Sequence, residues 1–461
     1  MVRYEATRPT SGGSRVDAKL ICPHTFSMND FWGRTSLAAT LSLIAGLAAL
    51  SFSACVDRES SMKGARSPAG YDPEMGGPQE SVQAVLDSVL SKDDISLSLG
   101  SEVVHNRFPA ESQFSVGAIP VVGRLQYSFE PEAQAMMEKL LTQYRPDFGV
   151  FVAMDARTGR ILTMASRTQG DSGAENLALK ATFPAASIFK VVTAGAVLDT
   201  DKVSPNTRIA FNGANHTLYR RNVVDAKENR WTRRMTIREA FGSSVNTIFG
   251  KLGLFYAGPE TLRTYAERFH FNHPIRADIP IQIGYSRFTA DDPWSVVSAA
   301  SGFTQDNTMS PIQGAMIAAA VANDGVMMEP YIVDSVTNAQ GESLYQAAPR
   351  RASIVVGPET ARQLRELFEQ TVQSGTSRKS FRQALRARRF ETVEFGGKTG
   401  SLTGLNPRGK CDWFIGYARF GDRRIAVAAL TVNEEKWRVK SATLAQMFLT
   451  SYVKNHHVSE P

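Results

Sequence analysis

The sequence predicts an α+β fold in which an antiparallel sheet is flanked by helices and joined to an all-helical subdomain. Apolar runs typical of strands occur near residue 150 and again beyond residue 390. Roughly 200 residues with mostly helical patterns separate these two sets of strands, an order typical of α+β domains. The chain has 461 residues, 43% of them hydrophobic and 21% charged, which is enough for a sizeable core.

The first predicted elements are a helix and a hairpin at the start of a folded body, near Leu125. Pro131 suits the first turn of a helix, and the pattern continues to Tyr144. The strand-like runs FGVFVAMD and RILTMAS follow, and they flank a turn at residues 156–159. We therefore predict a β-hairpin directly after the helix.

The middle of the chain carries helix-start signals. Thr236 and Glu239 have the spacing of a capping box, in which each side chain bonds the other's backbone N–H group. Ser310 followed by Pro311 is a second start signal, since proline is tolerated at the first helical position. These signals predict helices in the region between the two sets of strands.

The second set of strands is predicted from TVEFGGK, DWFIGYARF and RIAVAALTV. Gly421 and Asp422 separate the last two runs and form a plausible two-residue hairpin turn. An amphipathic helix is predicted from Ala442 to Tyr452.

An export segment is predicted near the N-terminus. Ser36 to Ala54 are 19 uncharged residues that follow Arg34, the arrangement of a signal sequence or membrane anchor. Small residues before Cys55 resemble a lipobox, which makes Cys55 a candidate lipidation site. A transmembrane helix and ordinary cleavage near Ala54 are the alternatives. All three place the protein in the cell envelope, on the periplasmic or extracytoplasmic face, anchored to the membrane in the first two cases.

The domain organisation follows from these shifts in composition. Residues 1–27 are polar and unlike a signal sequence, so we expect translation to start at Met28. We assign residues 1–55 to an N-terminal extension and anchor, 56–124 to a linker with a short N-terminal region, 125–455 to the main domain and 456–461 to a tail. Within 56–124, the residues 57–82 have the composition of a flexible tether and the remainder has irregular polar stretches after the helical pattern VQAVLDSVL.

Composition argues against several other classes of protein. The net charge of +7 is not accompanied by a nucleic-acid motif, and the seven histidines have no metal-site spacing, so we expect no nucleic acid, metal or cofactor. Cys22, Cys55 and Cys411 have no CxxC spacing, and Cys411 is expected to be a small residue that fills a strand position rather than a reactive thiol. The basic run at residues 378–389 favours a solvated helix face over a site for anionic wall polymer or lipid headgroups.

Three short motifs with chemical content occur in order: Ser187-Ile-Phe-Lys190, Ser244-Val-Asn246 and Lys398-Thr-Gly400. The first is weak alone, because residues 60–63 match it too. However, Ser187 lies at the first turn of an apolar helix, where Lys190 shares its face. A serine becomes a nucleophile when a base takes its proton, and a lysine with a depressed pKa can be that base.

The other two motifs are expected to complete a cleft. Ser244 and Asn246 follow a helix in a turn, where their polar side chains either project into a cleft or cap a helix. Lys398, Thr399 and Gly400 are expected to end a strand that begins at Thr392, with the cation and hydroxyl available to a substrate carboxylate and glycine admitting the substrate backbone.

The three motifs in this order resemble the penicillin-binding protein transpeptidase domain. The resemblance covers about residues 125–455 and includes FPAASIFK, SPIQGAMIAAAVANDG and DWFIGYA. It implies the fold shared by penicillin-binding proteins and serine β-lactamases. It also implies that Ser187 is acylated, that Lys190 is its general base, and that the backbone N–H groups of Ser187 and Ser401 form an oxyanion hole.

The resemblance assigns roles to the remaining motif residues. Ser244 relays a proton to the leaving D-alanine, and Asn246 orients Lys190 and the substrate amide. Lys398 and Thr399 hold the terminal carboxylate of the substrate, beside Gly400.

The implied function is that of a peptidoglycan D,D-transpeptidase, with stem peptides ending in D-Ala-D-Ala as substrates and β-lactams as inhibitors. The acceptor peptide and the protein partners are not specified by the motifs. A D,D-carboxypeptidase, a serine β-lactamase, and a non-catalytic β-lactam sensor or scaffold are the alternatives. Asn246 favours the transpeptidase over class D β-lactamases, which usually carry an aliphatic residue there.

Overall fold

The computed structural model describes residues 89–170 and 175–456. The predicted export segment from Ser36 to Ala54, Cys22, Cys55 and the tether at 57–82 lie outside these residues. Within the two ranges, none of the helices combines the length and the apolar character that a membrane crossing requires.

The strands are numbered in chain order. They are β1 (Glu111–Val116), β2 (Ile119–Tyr127), β3 (Phe148–Asp155), β4 (Ile161–Thr168), β5 (Phe183–Pro184), β6 (Arg208–Phe211), β7 (Arg233–Thr236), β8 (Tyr285–Ser286), β9 (Asn307–Met309), β10 (Val326–Met328), β11 (Val333–Thr337), β12 (Ser343–Gln346), β13 (Arg351–Ile354), β14 (Glu394–Leu405), β15 (Arg408–Phe420) and β16 (Arg423–Asn433).

The α-helices are numbered in the same way. They are α1 (Lys92–Val104), α2 (Pro131–Tyr144), α3 (Lys190–Leu198), α4 (Arg220–Val223), α5 (Ile237–Gly242), α6 (Asn246–Lys251), α7 (Pro259–Arg268), α8 (Pro293–Ser301), α9 (Pro311–Ala322), α10 (Pro358–Gln373), α11 (Arg378–Phe381) and α12 (Ser441–His456). Short 3-10 helices span Leu177–Leu179, Ala186–Phe189, Ala384–Arg386 and Arg388–Phe390, and a π-helix spans Leu252–Ala257.

The central sheet has five antiparallel strands in the order β14-β15-β16-β3-β4. Strands from both ends of the domain thus form one sheet, and both predicted hairpins are confirmed. Phe420 pairs with Arg423, so the turn between β15 and β16 has two residues, as Gly421-Asp422 predicts. The predicted α+β class is confirmed.

Helices cover both faces of this sheet. On one face, α9 packs against β3, β15 and β16, and all twelve of its residues are buried. On the other face, α2 packs on β4 while α12 packs on β15 and β16. Helix α9 begins after Ser310, whose hydroxyl accepts a hydrogen bond from the Gln313 N–H group, which confirms the predicted start.

The helical subdomain is built from α3, α5, α6, α7 and α8, whose contacts with one another bury their apolar side chains. The capping box of Thr236 and Glu239 is confirmed at the start of α5, with both reciprocal bonds present. Helix α3 is buried along its whole length and contacts α7, α8 and α10, so it lies at the centre of the domain.

The expectation of irregular structure before Leu125 is wrong for the described part of that segment. Helix α1 begins after Ser91, which forms a capping box with Asp94. The helix therefore starts two residues after the pattern VQAVLDSVL ends. The last two residues of that pattern, Val89 and Leu90, are not helical. Strands β1 and β2 then form a hairpin in a second sheet, β1-β2-β11-β12. The polar composition was misleading because these strands bury one face only, on the side where α1 contacts β1.

Candidate active site

Ser187 lies in the 3-10 helix Ala186–Phe189, which continues directly into α3. Lys190 is the first residue of α3, and its Nζ atom lies 2.7 Å from Ser187 Oγ. The three-residue spacing therefore brings the two side chains together, as expected. This is the one hydrogen bond that Ser187 Oγ makes to the described residues.

The Lys190 amine is fully buried and held by two other acceptors. Its Nζ atom donates to Asn246 Oδ1 at 2.7 Å and to the Ser301 carbonyl oxygen. Burial lowers the pKa of Lys190 well below its usual range, and the positive charge of Lys398 lowers it further. The neutral amine that a general base requires is therefore favoured here.

Ser244 and Lys398 form a second pair. Lys398 Nζ donates to Ser244 Oγ at 3.0 Å and to the Thr399 carbonyl at 2.7 Å. Burial lowers the pKa of Lys398 to about 7. The turn between α5 and α6 presents Ser244 to this amine with a left-handed backbone, φ 54°, a conformation that non-glycine residues rarely adopt.

Asn246 is positioned by the segment that follows β6. Its Nδ2 atom donates to the His216 carbonyl at 2.9 Å, and its backbone N–H group donates to the Asn215 carbonyl at 2.8 Å. The side-chain oxygen is therefore left pointing at Lys190. The Asn246 amide has one orientation that satisfies both contacts, because its NH₂ group donates to the His216 carbonyl and its oxygen accepts from Lys190.

Strand β14 does not end at Gly400, and this prediction was wrong. The strand runs to Leu405, and Lys398, Thr399 and Gly400 pair with Ile415, Phe414 and Trp413 in its middle. The small and polar residues after Gly400 resemble a turn, but pairing with the long apolar strand β15 overrides this local preference.

β14 is an edge strand of the sheet, and its free side contacts the helix turn that carries Ser187. A Cβ atom at Gly400 would lie 3.3 Å from the Ile188 backbone nitrogen, so glycine permits this close approach. The neighbouring Thr399 hydroxyl lies 2.5 Å from the Thr376 hydroxyl, which joins the segment after α10 to the site.

Gly302 supports the backbone on the other side of Ser187. Its φ is +66°, and a Cβ atom there would lie 1.9 Å from the Ala186 carbonyl oxygen and 3.1 Å from the Ser187 nitrogen. Ala186 itself is left-handed, with φ 50°. The turn that orients Ser187 therefore depends on glycine at 302.

These residues surround a cavity of about 550 Å³. Six of the predicted site residues line it, namely Ser187, Ser244, Asn246, Thr399, Gly400 and Ser401, while Lys190 and Lys398 are buried. The other lining residues are His216, Gly302, Phe303, Thr376, Lys379, Ser380, Asp412, Trp413, Trp437, Lys440 and Ala442.

Several of these contributors were missed by sequence reasoning. The Ser301 acceptor is a backbone carbonyl, and Thr376 has no motif around it, so neither leaves a sequence signal. Trp413 lies within the phrase DWFIGYA, and its Nε1 atom donates to the Pro184 carbonyl at 3.0 Å, which ties β15 to the segment before Ser187. That phrase was the one available signal.

The structure also places Cys411 and the basic run. Cys411 lies in strand β15, as expected; it is buried there, and burial raises the pKa of its thiol to about 12. The basic run at 378–389 forms α11 and two 3-10 turns, and its Lys379 lines the cavity. Across the described ranges, no group of three or more His, Cys, Asp or Glu side chains is placed to hold a metal ion.

The protein combines an antiparallel sheet with an all-helical subdomain, and the Ser187–Lys190 pair lies where the two meet. This arrangement is typical of serine acyltransferases. The family "Penicillin binding protein transpeptidase domain" matches residues 149–449. The chain belongs to this family.

Known relatives agree with this membership. The protein named peptidoglycan D,D-transpeptidase PbpA from Mycolicibacterium smegmatis is 26% identical over 355 residues, which are 69% of each chain. The D,D-transpeptidase domain of a peptidoglycan glycosyltransferase from Eggerthella lenta is similar in structure, with a TM-score of 0.60 and 26% identity over 73% of this chain and 84% of that one. Penicillin-binding protein A from Mycobacterium tuberculosis, solved as an imipenem acyl-enzyme, shares the fold with a TM-score of 0.59 and 22% identity over 72% of this chain and 80% of that one.

Proposed function

We propose that the protein is a peptidoglycan D,D-transpeptidase that forms an acyl-enzyme on Ser187. The observation that carries the proposal is the fully buried Lys190 amine, 2.7 Å from Ser187 Oγ and with a strongly lowered pKa. The relative from M. smegmatis is named as such a transpeptidase.

Acylation begins when Ser187 Oγ attacks the carbonyl carbon of the penultimate D-alanine. The neutral Lys190 amine takes the hydroxyl proton, which converts a weak nucleophile into a strong one. Negative charge develops on the attacked oxygen, and the backbone N–H groups of Ser187 and Ser401 are proposed to bind it. Such donors commonly contribute about 3 to 4 kcal/mol to the barrier.

Collapse of the tetrahedral intermediate breaks the bond between the two D-alanines. The leaving amine takes a proton from the Ser244 hydroxyl, which regains one from the protonated Lys190. Lys398 Nζ, 3.0 Å from Ser244 Oγ, orients that hydroxyl. A serine ester and free D-alanine result, and the proton count is unchanged.

The terminal carboxylate of the substrate is proposed to bind at Lys398 and Thr399. A carboxylate beside Lys398 favours its protonated form. A positive Lys398 in turn keeps Lys190 neutral, because two buried ammonium groups this close repel each other. Substrate binding thus supports the proton state that acylation requires.

The amine of a neighbouring stem peptide then attacks the ester carbonyl and forms a new amide. One amine proton passes through Lys190 to Ser187 Oγ as the ester bond breaks, which restores the Ser187 hydroxyl. An extended peptide is proposed to pair with β14 beyond Gly400, where Ser401 and Thr403 are exposed. Water as the acceptor gives hydrolysis, the reaction of a carboxypeptidase. β-Lactams are proposed inhibitors, since the relative from M. tuberculosis was solved as an imipenem acyl-enzyme.

The proposed location is the cell envelope, with the anchor in residues 1–55, a linker at 56–124 and the transpeptidase domain at 125–455. The family match over 149–449 lies inside that last range and supports it. Lipid attachment at Cys55 is tested by mass spectrometry of protein from its native membrane, in which a diacylglycerol-modified Cys55 peptide is expected.

The test of the proposed function is incubation with a labelled penicillin, followed by peptide mapping and by measurement of label release. We expect one label, on the peptide containing Ser187, that persists for many minutes. Label elsewhere would refute the assignment of the nucleophile, and rapid repeated hydrolysis would identify a β-lactamase instead. Transfer is then tested with a D-Ala-D-Ala pentapeptide and an added amine acceptor, where hydrolysis alone would identify a carboxypeptidase.

A further inference from the structure

A second cavity, of about 440 Å³, lies on the helical subdomain outside the active site. We call it the 212–231 groove. Its lining is rich in amide, aromatic and guanidinium groups, from Asn212, Gly213, Ala214, Thr217, Tyr219, Arg221, Asn222, Asn229 and Trp231.

Two aromatic rings of the groove are largely exposed. Trp231 is 72% exposed and Tyr219 is 50% exposed. The Arg230 guanidinium lies 4.8 Å from the Trp231 ring centre, and that of Arg221 lies 5.6 Å from the Tyr219 ring centre. These guanidinium groups make cation–π contacts with the two rings. The groove therefore presents aromatic surface that is open to solvent.

Polar groups beside these rings have no hydrogen-bond or ion-pair partner in the described part of the chain. The Asn222 amide, the Arg221 guanidinium and the Tyr219 hydroxyl make no hydrogen bond or ion pair there. By contrast, Arg234 pairs with Glu228 at 2.7 Å. The groove therefore offers several free donors and acceptors next to aromatic faces.

The walls of the groove are fixed by hydrogen bonds. Asn212 Nδ2 donates to the Lys227 carbonyl at 3.1 Å, and Asn212 Oδ1 accepts from the Thr232 hydroxyl at 2.9 Å. The Trp231 backbone N–H group donates to Asn229 Oδ1 at 2.8 Å. The lining is thus held in one arrangement before a ligand arrives, which reduces the entropy cost of binding.

The segment after β6 borders both the groove and the active-site cavity. Gly213, Ala214 and Thr217 line the groove, while His216 of the same segment lines the active-site cavity. The carbonyls of Asn215 and His216 accept hydrogen bonds from Asn246. The segment that lines the groove therefore also holds Asn246 in the active site.

We propose that the 212–231 groove binds the glycan strand of peptidoglycan, the amino-sugar polymer that carries the stem peptides. Sugar rings present apolar C–H faces that stack on Trp231 and Tyr219, and their acetamido and hydroxyl groups match the free groups of Asn222 and Arg221. The inference rests on the proposed function, because glycan here positions the attached peptide at Ser187.

The test uses the full chain in detergent and peptide-free glycan strands as the probe, with affinity measured by calorimetry. Trp231→Ala is expected to weaken glycan binding on the order of tenfold, the size of one lost stacking contact of about 1.4 kcal/mol. Phe255→Ala is the matched control, since Phe255 is an aromatic residue that is 59% exposed and lies outside the groove. The control is expected to bind glycan as the wild type does.

Acylation by labelled penicillin is measured on the same three proteins and is expected to be equal, which also shows that the variants fold. Wild-type protein that acylates normally but does not bind glycan overturns the groove assignment, as does a Trp231→Ala variant with unchanged glycan affinity. Failure of acylation in the wild type refutes the proposed function separately. The three proteins are also tested for binding to phosphatidylglycerol vesicles. A Trp231→Ala variant that loses vesicle binding but keeps wild-type glycan affinity assigns the groove to lipid and overturns the proposal.

Discussion

Replacing Lys190 with methionine separates the chemistry of this residue from its packing. Methionine retains an unbranched apolar stem of similar length but carries no base and no charge. The variant is expected to keep the fold, because α3 is buried along its length and its apolar neighbours are unchanged.

The expected loss is in acylation. Within the described residues, Lys190 Nζ is the one hydrogen-bond partner of Ser187 Oγ, so the variant has no base in reach. General base catalysis commonly contributes about 10²- to 10⁴-fold, equivalent to about 3 to 5 kcal/mol in the barrier. We expect the upper part of this range. Residual acylation is expected from the proposed oxyanion donors, which the change does not alter.

The pH dependence of the free energy of unfolding tests the Lys190 pKa independently of activity, and its sign can be predicted. The pKa of Lys190 is lower in the folded chain than in the unfolded chain, because burial disfavours its charged form. Above the folded pKa and below about 10.4, the unfolded chain binds more protons, so wild-type stability increases with pH. The slope approaches about 1.4 kcal/mol per pH unit from this residue alone. The methionine variant lacks this contribution, whereas that of Lys398 is common to both proteins.

The assays are stopped-flow acylation by a labelled penicillin, and urea unfolding of both proteins between pH 7 and pH 9.5. Wild-type acylation is expected to be fast throughout this range because burial keeps Lys190 neutral, and the variant is expected to be slow at every pH. Acylation within tenfold of wild type would refute the assignment of Lys190 as the base. Parallel stability curves would refute the buried, low-pKa amine.

Three further changes test the surroundings of the site. Thr376→Val removes the hydroxyl that contacts the Thr399 hydroxyl but keeps the side-chain shape. The acylation rate should fall about tenfold while the melting temperature stays the same. An unchanged acylation rate would show that this hydrogen bond is unimportant. Gly302→Ala is expected to lower both the melting temperature and acylation, because the new Cβ atom would meet the backbone just before Ser187; wild-type behaviour in calorimetry and labelling would contradict this. Asp278 accepts backbone hydrogen bonds from residues 332 and 333, and burial raises its pKa to about 6. The folded chain therefore binds more protons than the unfolded chain between about pH 4 and pH 6. As pH rises through that window, the free energy of unfolding of the wild type should fall by about 3 kcal/mol relative to that of Asp278→Asn. An equal pH dependence of the two unfolding free energies, measured with urea, would contradict this.

The elements that could be predicted from sequence are those fixed by local chemistry. Pro131 and Tyr144 bound a helix as predicted, since proline and periodicity act within one segment. The β15–β16 turn was predictable because two residues, Gly421 and Asp422, decide its geometry. The motif residues were predictable because each motif is short. Residues three apart on a helix turn, such as Ser187 and Lys190, come into contact wherever that turn forms.

What could not be predicted depends on pairing between distant segments. Strand β2 lies between β1 and β11, and Leu125 pairs with Val336 more than 200 residues later in the chain. No local pattern specifies that partner. The Ser301 carbonyl is similar, because every residue has a carbonyl and the fold alone decides that this one faces Lys190.

The length of β14 illustrates how such pairing serves the site. Had the strand ended at Gly400, the Ser401 N–H group would belong to a turn, whose direction is set by a few soft torsion angles. Instead, Ser401 pairs with Asp412, and the ladder continues to Leu405 and Arg408. Donors that stabilise a developing oxyanion are effective when they are held in place before the reaction. The extension of β14 beyond the motif is therefore what makes an edge strand rigid enough to carry half of the proposed oxyanion hole.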